Sequence, residues 1–304
     1  MAEIDQFQLD LGSSSEIGMA LTLALMMFSV ALSLKPEHFL FFRTQPNLFF
    51  GGVIAQMFGL PLLTLGLCFL FTPTPTVALG MILIACCPGG NVSNLLVLLA
   101  RGNTALSVSL TATSSISAAF ITPIAIIFWS SLYPPTNALL DEIAFDALSF
   151  LLQTSVILAV PLLSGMFVST YYPKFAQTLQ RPLVGLASVG LFVIIVVTTW
   201  RYLDQFALLG AFFLFLIVMH NSAAFLVGFI TAKLVGADTA ATRALTFEVG
   251  IQNAGLGIVI LLTQLGGMGG AAAVAGIWGL WHIIAGLILV ALFRNADCLK
   301  AVVR

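Results

Sequence analysis

Charge is what this chain has least of. Asp, Glu, Lys and Arg make up 8 % of its 304 residues, where a soluble domain carries about 25 %. Without that polar surface a soluble globular protein of this length is excluded, and a bilayer is the solvent that suits it. The net charge is −1, so no basic field points to nucleic acid. Cysteine is sparse too. Cys68, Cys86 and Cys87 lie in apolar runs and Cys298 lies near the C-terminus, with no metal-ligand spacing and no disulfide framework. Residues 1–16 contain no Lys or Arg, so they lack the basic head of a secretory signal. Ser13 and Glu16 fit a capping box that opens the first helix. No stretch is long and polar enough for a soluble domain, so 1–304 reads as a single integral membrane domain. Nothing asks for an organic cofactor or an obligate protein partner.

Apolar residues fill the space that charge leaves, at 60 % of the chain. A membrane helix needs about 20 of them in succession. The candidate spans are 17–34, 48–71, 79–100, 104–130, 147–170, 183–200, 207–232, 244–265 and 271–293. The predicted fold is therefore an all-α membrane protein with nine transmembrane helices, and the lipid bilayer is its first partner. An odd count puts the termini on opposite sides. Basic residues mark the cytoplasmic loops. Lys35, Arg43, Arg101, Lys174, Arg181, Lys233, Arg243, Arg294, Lys300 and Arg304 all fall in loops or tail of one side, ten of the eleven Lys and Arg residues. Arg201 is the exception. The C-terminus is expected in the cytoplasm, the N-terminus outside, and the membrane to be the plasma (inner) membrane.

Two of the spans are interrupted. One reads CCPGGNVSN, 86–94. Pro88 removes a backbone donor and clashes with the preceding turn, and Gly89, Gly90, Asn91, Ser93 and Asn94 follow. The other reads EVGIQNAGLG, 248–257. Backbone that leaves the helix inside a membrane must be satisfied by protein, water or ions. Two such segments in corresponding positions of two halves mark a transporter site. Gln56 precedes Asn91, and Asn221 precedes Asn253, by similar intervals that each hold one helix and a short loop. That supports an inverted repeat of 48–130 against 207–293, with three spans in each half and hence opposite topology.

Glu248 is the one acid inside a predicted span. A charge at the bilayer centre costs about 2.5–3.5 kcal/mol on insertion scales, so it needs a partner or a proton. Arg243, five residues earlier, is off its helical face. A structural ion pair is therefore hard to build, which leaves a proton or a metal cation. The neighbours are oxygen donors: Gln56, Ser93, Asn94, Ser107, Thr111 and Gln252. Ser107 and Thr111 share a helix face at i,i+4, as do Glu248 and Gln252. Taken singly, Ser107 and Thr111 read as hydroxyls bonding their own backbone. Taken together, one carboxylate with several neutral oxygens suits a monovalent cation, because Mg²⁺ and Ca²⁺ sites recruit more carboxylates. His282 reads either as a hydrogen-bonded packing residue or as the lining of a polar cavity. His220 with Asn221 reads similarly.

The function these residues suggest is secondary active transport, with an ion or a proton at Glu248. A proton-coupled or exchanging carrier on the same scaffold is the first alternative. A passive channel is another. An intramembrane serine hydrolase using Ser93 and His282 is a third, disfavoured because it gives Glu248 no task. The chain is expected not to be an enzyme.

Five stretches, LSLKPEHF, GVIAQ, CCPGGNVSNLLVLLARGNTALSVSLT, HNSAAFLVGF and FEVGIQNAGL, resemble signatures of the bile acid:sodium symporter family, in the family's order across about 28–295. The resemblance implies a core domain with two crossing, partly unwound helices, 48–130 and 207–293, and a panel domain, 17–34 and 147–200. It implies two Na⁺ ions. One would be held by Ser93, Asn94, Ser107, Thr111 and Glu248, the other by Gln56, Glu248, Gln252 and the carbonyls of Val249 and Ile251. Asn91, Asn253 and His282 would face an organic anion, bile acid-like or a small carboxylate, carried by alternating access. Asn91 stands where many bile acid-binding members have Thr. The chain starts one helix later than many bacterial members.

Overall fold

A computed structural model describes residues 13–34, 41–201 and 210–303, all-α apart from one isolated β-bridge. Helix fills most of the described part of every predicted stretch, with breaks at 86–90 and 251–253. In chain order these are α1 Ser13–Leu32; α2 Pro46–Ile54, running through a π-turn Ala55–Gly59 into α3 Leu60–Phe71; α4 Pro75–Ala85; α5 Asn91–Leu99; and α6 Thr104–Ser131. Then come α7 Pro134–Glu142, α8 Ala147–Tyr171, α9 Pro173–Arg201, α10 Gly210–Leu234, α11 Thr239–Gly250, α12 Ala254–Gln264 and α13 Gly269–Val303. Among the described residues, five helices are long and apolar enough to cross a membrane by length and composition: Pro46–Phe71, Thr104–Ser131, Ala147–Tyr171, Gly210–Leu234 and Gly269–Leu299.

The helix starts follow local chemistry. Proline opens α2, α4 and α7, where its missing N–H costs nothing. Side-chain caps open α6, α8, α11 and α12. Asn103 accepts from Leu106 N at 3.0 Å and Asp238 from Ala241 N at 2.7 Å, each satisfying a first-turn N–H. The capping box expected at Ser13 and Glu16 lies outside the described side chains, as do Lys35 and residues 1–12.

Several loop assignments need correction. Lys174 and Arg181 are in α9, which starts well before the predicted 183 because Pro173 is a good first helical residue. The predicted 131–146 loop contains α7. Arg243 is not in a loop; it is 5 % exposed inside α11. Its Nη1 donates to Ala100 O at 2.7 Å and to Asp297 Oδ2 at 2.9 Å, and Nη2 pairs with Asp297 Oδ1. Its guanidinium also lies over the Phe293 ring, 5.3 Å from the centroid. The bidentate fork and the aromatic face together let arginine, of all cations, be buried here.

α1 packs on α8 and α9; α10 packs on α11, and α4 on α13. Broken helices α4–α5 and α11–α12 lie within the second group. Residues of α1, α4, α12 and α13, among them Met19, Leu23, Ile82, Leu261 and Trp278, share the largest apolar core.

Candidate functional site

Two breaks meet at the centre. After Ala85 the chain runs through Cys86–Cys87–Pro88–Gly89–Gly90 before α5 begins; after Gly250 it runs through Ile251–Gln252–Asn253 before α12. Gly89 and Gln252 form an antiparallel bridge. Gly90 N donates to Ile251 O at 3.3 Å, and Asn253 N to Pro88 O at 2.8 Å. Each unwound strand thus satisfies the other's backbone, which a dry interior requires. Ser114 on α6 takes a further donor, Gly89 N, at 3.2 Å. Asn221 Nδ2 donates to Gly250 O at 2.8 Å and so closes the end of α11.

Glu248, 1 % exposed, sits one turn before the second break. A Cβ at Gly89 would lie 2.5 Å from its Oε1. Only glycine lets the first break approach the carboxylate that closely. Ser93 Oγ donates to Glu248 Oε2 at 2.8 Å, and Thr111 Oγ1 to Oε1 at 2.5 Å. Ser107 Oγ lies 2.9 Å from Glu248 Oε2 and 2.8 Å from Asn94 Oδ1. Thr111 Oγ1 is also 3.4 Å from Asn94 Oδ1 and from Ser93 Oγ. The structure therefore brings together Ser93, Asn94, Ser107, Thr111 and Glu248.

Protons are short in this cradle. Ser93, Ser107 and Thr111 have one hydroxyl proton each, and the carboxylate and Asn94 Oδ1 contribute none. Ser107 cannot donate to both of its near oxygens at once. Oxygens crowded together with too few protons repel, and a hard cation among them removes the conflict. The donor set fits a monovalent cation. It lacks the further carboxylates a divalent ion recruits, and among the described residues no cluster of three or more His, Cys, Asp or Glu exists.

Gln56, Gln252 and Val249 O form a second polar group. Gln56 Nε2 donates to Gln252 Oε1 at 3.3 Å, and Gln252 Nε2 to Val249 O at 2.8 Å. Ile251 O is engaged by Gly90 N. The two side chains are 4 % and 1 % exposed. Gln56 lies in the π-turn, a feature frequent at functional sites. The sequence reading missed this turn; its signal is Pro61, which cannot donate back to Met57.

A cavity of about 450 Å³ lies on the other face of the crossing, with Asn91, Asn253 and His282 among its lining residues. Its walls include Met26 and Val30 of α1, Val184 and Phe192 of α9, Ile258 and Ile283, and no Lys, Arg, Asp or Glu is among its lining residues. α5 and α12 both begin at this cavity. The N–H groups of Asn91, Val92 and Gly255 have no acceptor among the described residues. Asn253 Oδ1 is already spent as the cap of α12, accepting from Leu256 N at 3.0 Å, which leaves its Nδ2 for the cavity. His282 Nδ1 donates to Trp278 O at 2.9 Å. In the neutral ring this leaves Nε2 as an acceptor. Ser93 points to Glu248 and is not among the lining residues, so no Ser93–His282 dyad exists.

The profile of the sodium bile acid symporter family matches residues 20–209, more than half of the chain. Across 238 residues the chain is 30 % identical to the uncharacterized sodium-dependent transporter YocS of Bacillus subtilis, covering 78 % of this chain and 71 % of that one. This chain belongs to the sodium bile acid symporter family. It is 30 % identical over 280 residues to the probable sodium/metabolite cotransporter BASS1 of Arabidopsis thaliana chloroplasts, covering 92 % of this chain but only 65 % of that protein's length. Against the human ileal sodium/bile acid cotransporter it is 28 % identical over 239 residues, 78 % of this chain and 67 % of that one. This family member is a membrane transporter, not an enzyme. The family profile spans Gln56, Asn91, Ser93, Asn94, Ser107 and Thr111, while Glu248, Gln252, Asn253 and His282 lie beyond it.

Proposed function

We propose that the protein is a sodium-coupled symporter of an organic anion. The observation that carries this reading is the cradle at Glu248, where buried oxygens outnumber the protons available to them. Na⁺ is the cation suited to one carboxylate and neutral oxygens, and it is the ion in the names of the relatives. One ion is held by Ser93, Asn94, Ser107, Thr111 and Glu248. A second is held by Gln56, Gln252, Glu248 and the carbonyls of Val249 and Ile251, once the Gln56–Gln252 amide contact turns an oxygen inward.

The anion lies in the 450 Å³ cavity, on the free N–H groups that open α5 and α12. Helix N-termini favour negative charge, which explains how a cavity without Lys or Arg holds an anion. His282 Nε2 accepts, so the ligand carries a hydroxyl or amide N–H donor some distance from its charge. Bile acid-like molecules and small hydroxylated carboxylates have that pattern, and the apolar walls take the hydrocarbon part.

Helices α2 to α6 and α10 to α13 form the core, as two inverted halves each with one broken helix; α1, α8 and α9 form the panel. The core moves against the panel to expose the site alternately, in a plasma or inner membrane with the C-terminus cytoplasmic. Two Na⁺ with one monoanion move one net charge per cycle, so the membrane potential adds about 2.3 kcal/mol per 100 mV. The direct test is binding of a panel of organic anions to purified protein in Na⁺ and in K⁺, for wild type and Glu248→Ala. Binding that needs Na⁺ and is lost in the variant supports the reading. Binding indifferent to Na⁺ but driven by pH transfers Glu248 to a proton-coupled carrier.

A further inference from the structure

Ten buried polar side-chain atoms lack partners among the described residues, and His220 Nδ1, Asn221 Oδ1 and Trp278 Nε1 are three of them. All three side chains are 0 % exposed. Buried polar atoms are almost always hydrogen-bonded, to protein or to ordered water.

The chemistry of each orphan is fixed by its neighbours. Thr64 Oγ1 donates its single proton to Leu60 O at 2.8 Å. Across the 2.8 Å contact between Thr64 Oγ1 and His220 Nε2, the imidazole must therefore be the donor. That sets the tautomer with Nε2 protonated and leaves Nδ1 as a lone pair. Asn221 Nδ2 donates to Gly250 O, so Oδ1 is also an acceptor. Trp278 Nε1–H can only donate. Two acceptors and one donor are the complement of one water molecule, which donates twice and accepts from one or two partners. His220 and Asn221 are adjacent in α10, and the His220 and Trp278 rings are 6.1 Å apart between centroids.

We propose that one buried water molecule joins His220 Nδ1, Asn221 Oδ1 and Trp278 Nε1, and that it links the two functional regions. On one side Asn221 holds Gly250 O, at the break that follows Glu248. On the other side Trp278 stacks on His282, with centroids 4.9 Å apart and planes 22° apart, and its carbonyl fixes His282 Nδ1. The water thus ties the end of α11 to the residue that sets the polarity of the cavity wall. The linking role rests on the sodium-coupled reading above; the water site does not.

A structure of the sodium- and ligand-bound protein that resolves ordered solvent tests the site. A density peak within about 3.2 Å of all three atoms is expected. Clear side chains with no such peak would overturn it. A double-mutant cycle tests the link, on the factor by which Na⁺ tightens the ligand. Trp278→Phe removes the donor but keeps an aromatic ring against His282. It should lower that factor roughly five-fold or more, the effect of leaving a buried acceptor unpaired. Combined with Asn221→Val it should lower it no further than Asn221→Val alone. Effects that multiply would remove the link. Thermal unfolding in K⁺ without ligand shows whether the variants fold. A wild-type factor of one would sink the sodium-coupled reading while the density still decides the water site.

Discussion

The two breaks look alike in backbone and opposite in chemistry. Aligned at the bridge, Gly89 against Gln252, the same spacing sets Ala85 against Glu248, Ser93 against Leu256, Ser107 against Gly270 and Thr111 against Val274. Every oxygen of the cradle has an apolar or side-chain-free counterpart. At those counterpart positions, where α4 meets α13, the space is filled by close helix packing. A Cβ at Gly80 would lie 2.7 Å from Ala271 Cα, and one at Gly270 would collide with Thr76 Oγ1. On the proposed reading the cradle takes an ion, while its counterpart is closed by helix packing. Both halves still contribute a helix start to the cavity, because free N–H groups come from backbone ends and need no side chain. The two breaks thus share what the backbone supplies, while their side chains differ.

The largest effect should come from the residue with no counterpart. Glu248→Ala should weaken sodium-dependent binding by at least about 100-fold, consistent with the roughly 3–5 kcal/mol lost when one partner of a buried charge is removed. Sodium titrations of ligand binding measure it. A loss under ten-fold would mean that the hydroxyls hold the ion without the carboxylate. Next in size, two glycine variants should separate the halves. Gly89→Ala puts a methyl group against Glu248 Oε1 and should abolish most of the sodium response. Gly80→Ala forces α4 from α13 at backbone level and should cost about 1–3 kcal/mol by overpacking. That should appear as a lower Tm with the sodium response intact. Equal effects of both variants on sodium would end the distinction between an ion crossing and a packing crossing.

Much of this site is readable in the sequence because the cost of burying polar groups in lipid is large and local. Glu248, Gln252 and Asn253 in an apolar run, and Pro88–Gly89–Gly90 before Asn91, are anomalies that each demand an explanation. The i,i+4 spacing of Ser107 and Thr111 puts both hydroxyls on the Glu248 face, and Ser114, three residues after Thr111, extends the same face and was open to the same argument. What stayed hidden depends on distant contacts. Asp297, far along the chain, is what lets Arg243 be buried, and a count of basic residues in loops cannot see that pairing. The start of α9 was misplaced because Lys174 and Arg181 read as loop, although charged residues are ordinary in a helix end outside lipid. The need for glycine at 89 follows from where Glu248 sits, and no local rule contains it.

Single hydroxyls give the next smaller effect and probe the crowding of oxygens directly. Thr111→Val keeps the shape and removes one donor, so sodium affinity should fall by about ten-fold, from roughly 1.5 kcal/mol for a hydrogen bond to a charged group. Val274→Thr, its counterpart, puts a hydroxyl into a fully buried helix contact and should lower Tm without touching sodium.

The smallest effect should be at Ser114, which touches the break but not the ion. Ser114→Ala removes the acceptor of Gly89 N, seen at 3.2 Å, and leaves the cradle hydroxyls in place. A weak neutral hydrogen bond is worth about 1 kcal/mol net, so sodium affinity should drop by roughly five-fold at most. The drop should appear as faster sodium release, because a looser Gly89 lets the first break move away from Glu248. Stopped-flow release of Na⁺ with ligand present distinguishes the two possibilities. Faster release with an unchanged association rate places Ser114 as a brace on the break; an unchanged release rate makes it one more packing hydroxyl of α6, and the difference between the crossings then rests on the cradle alone.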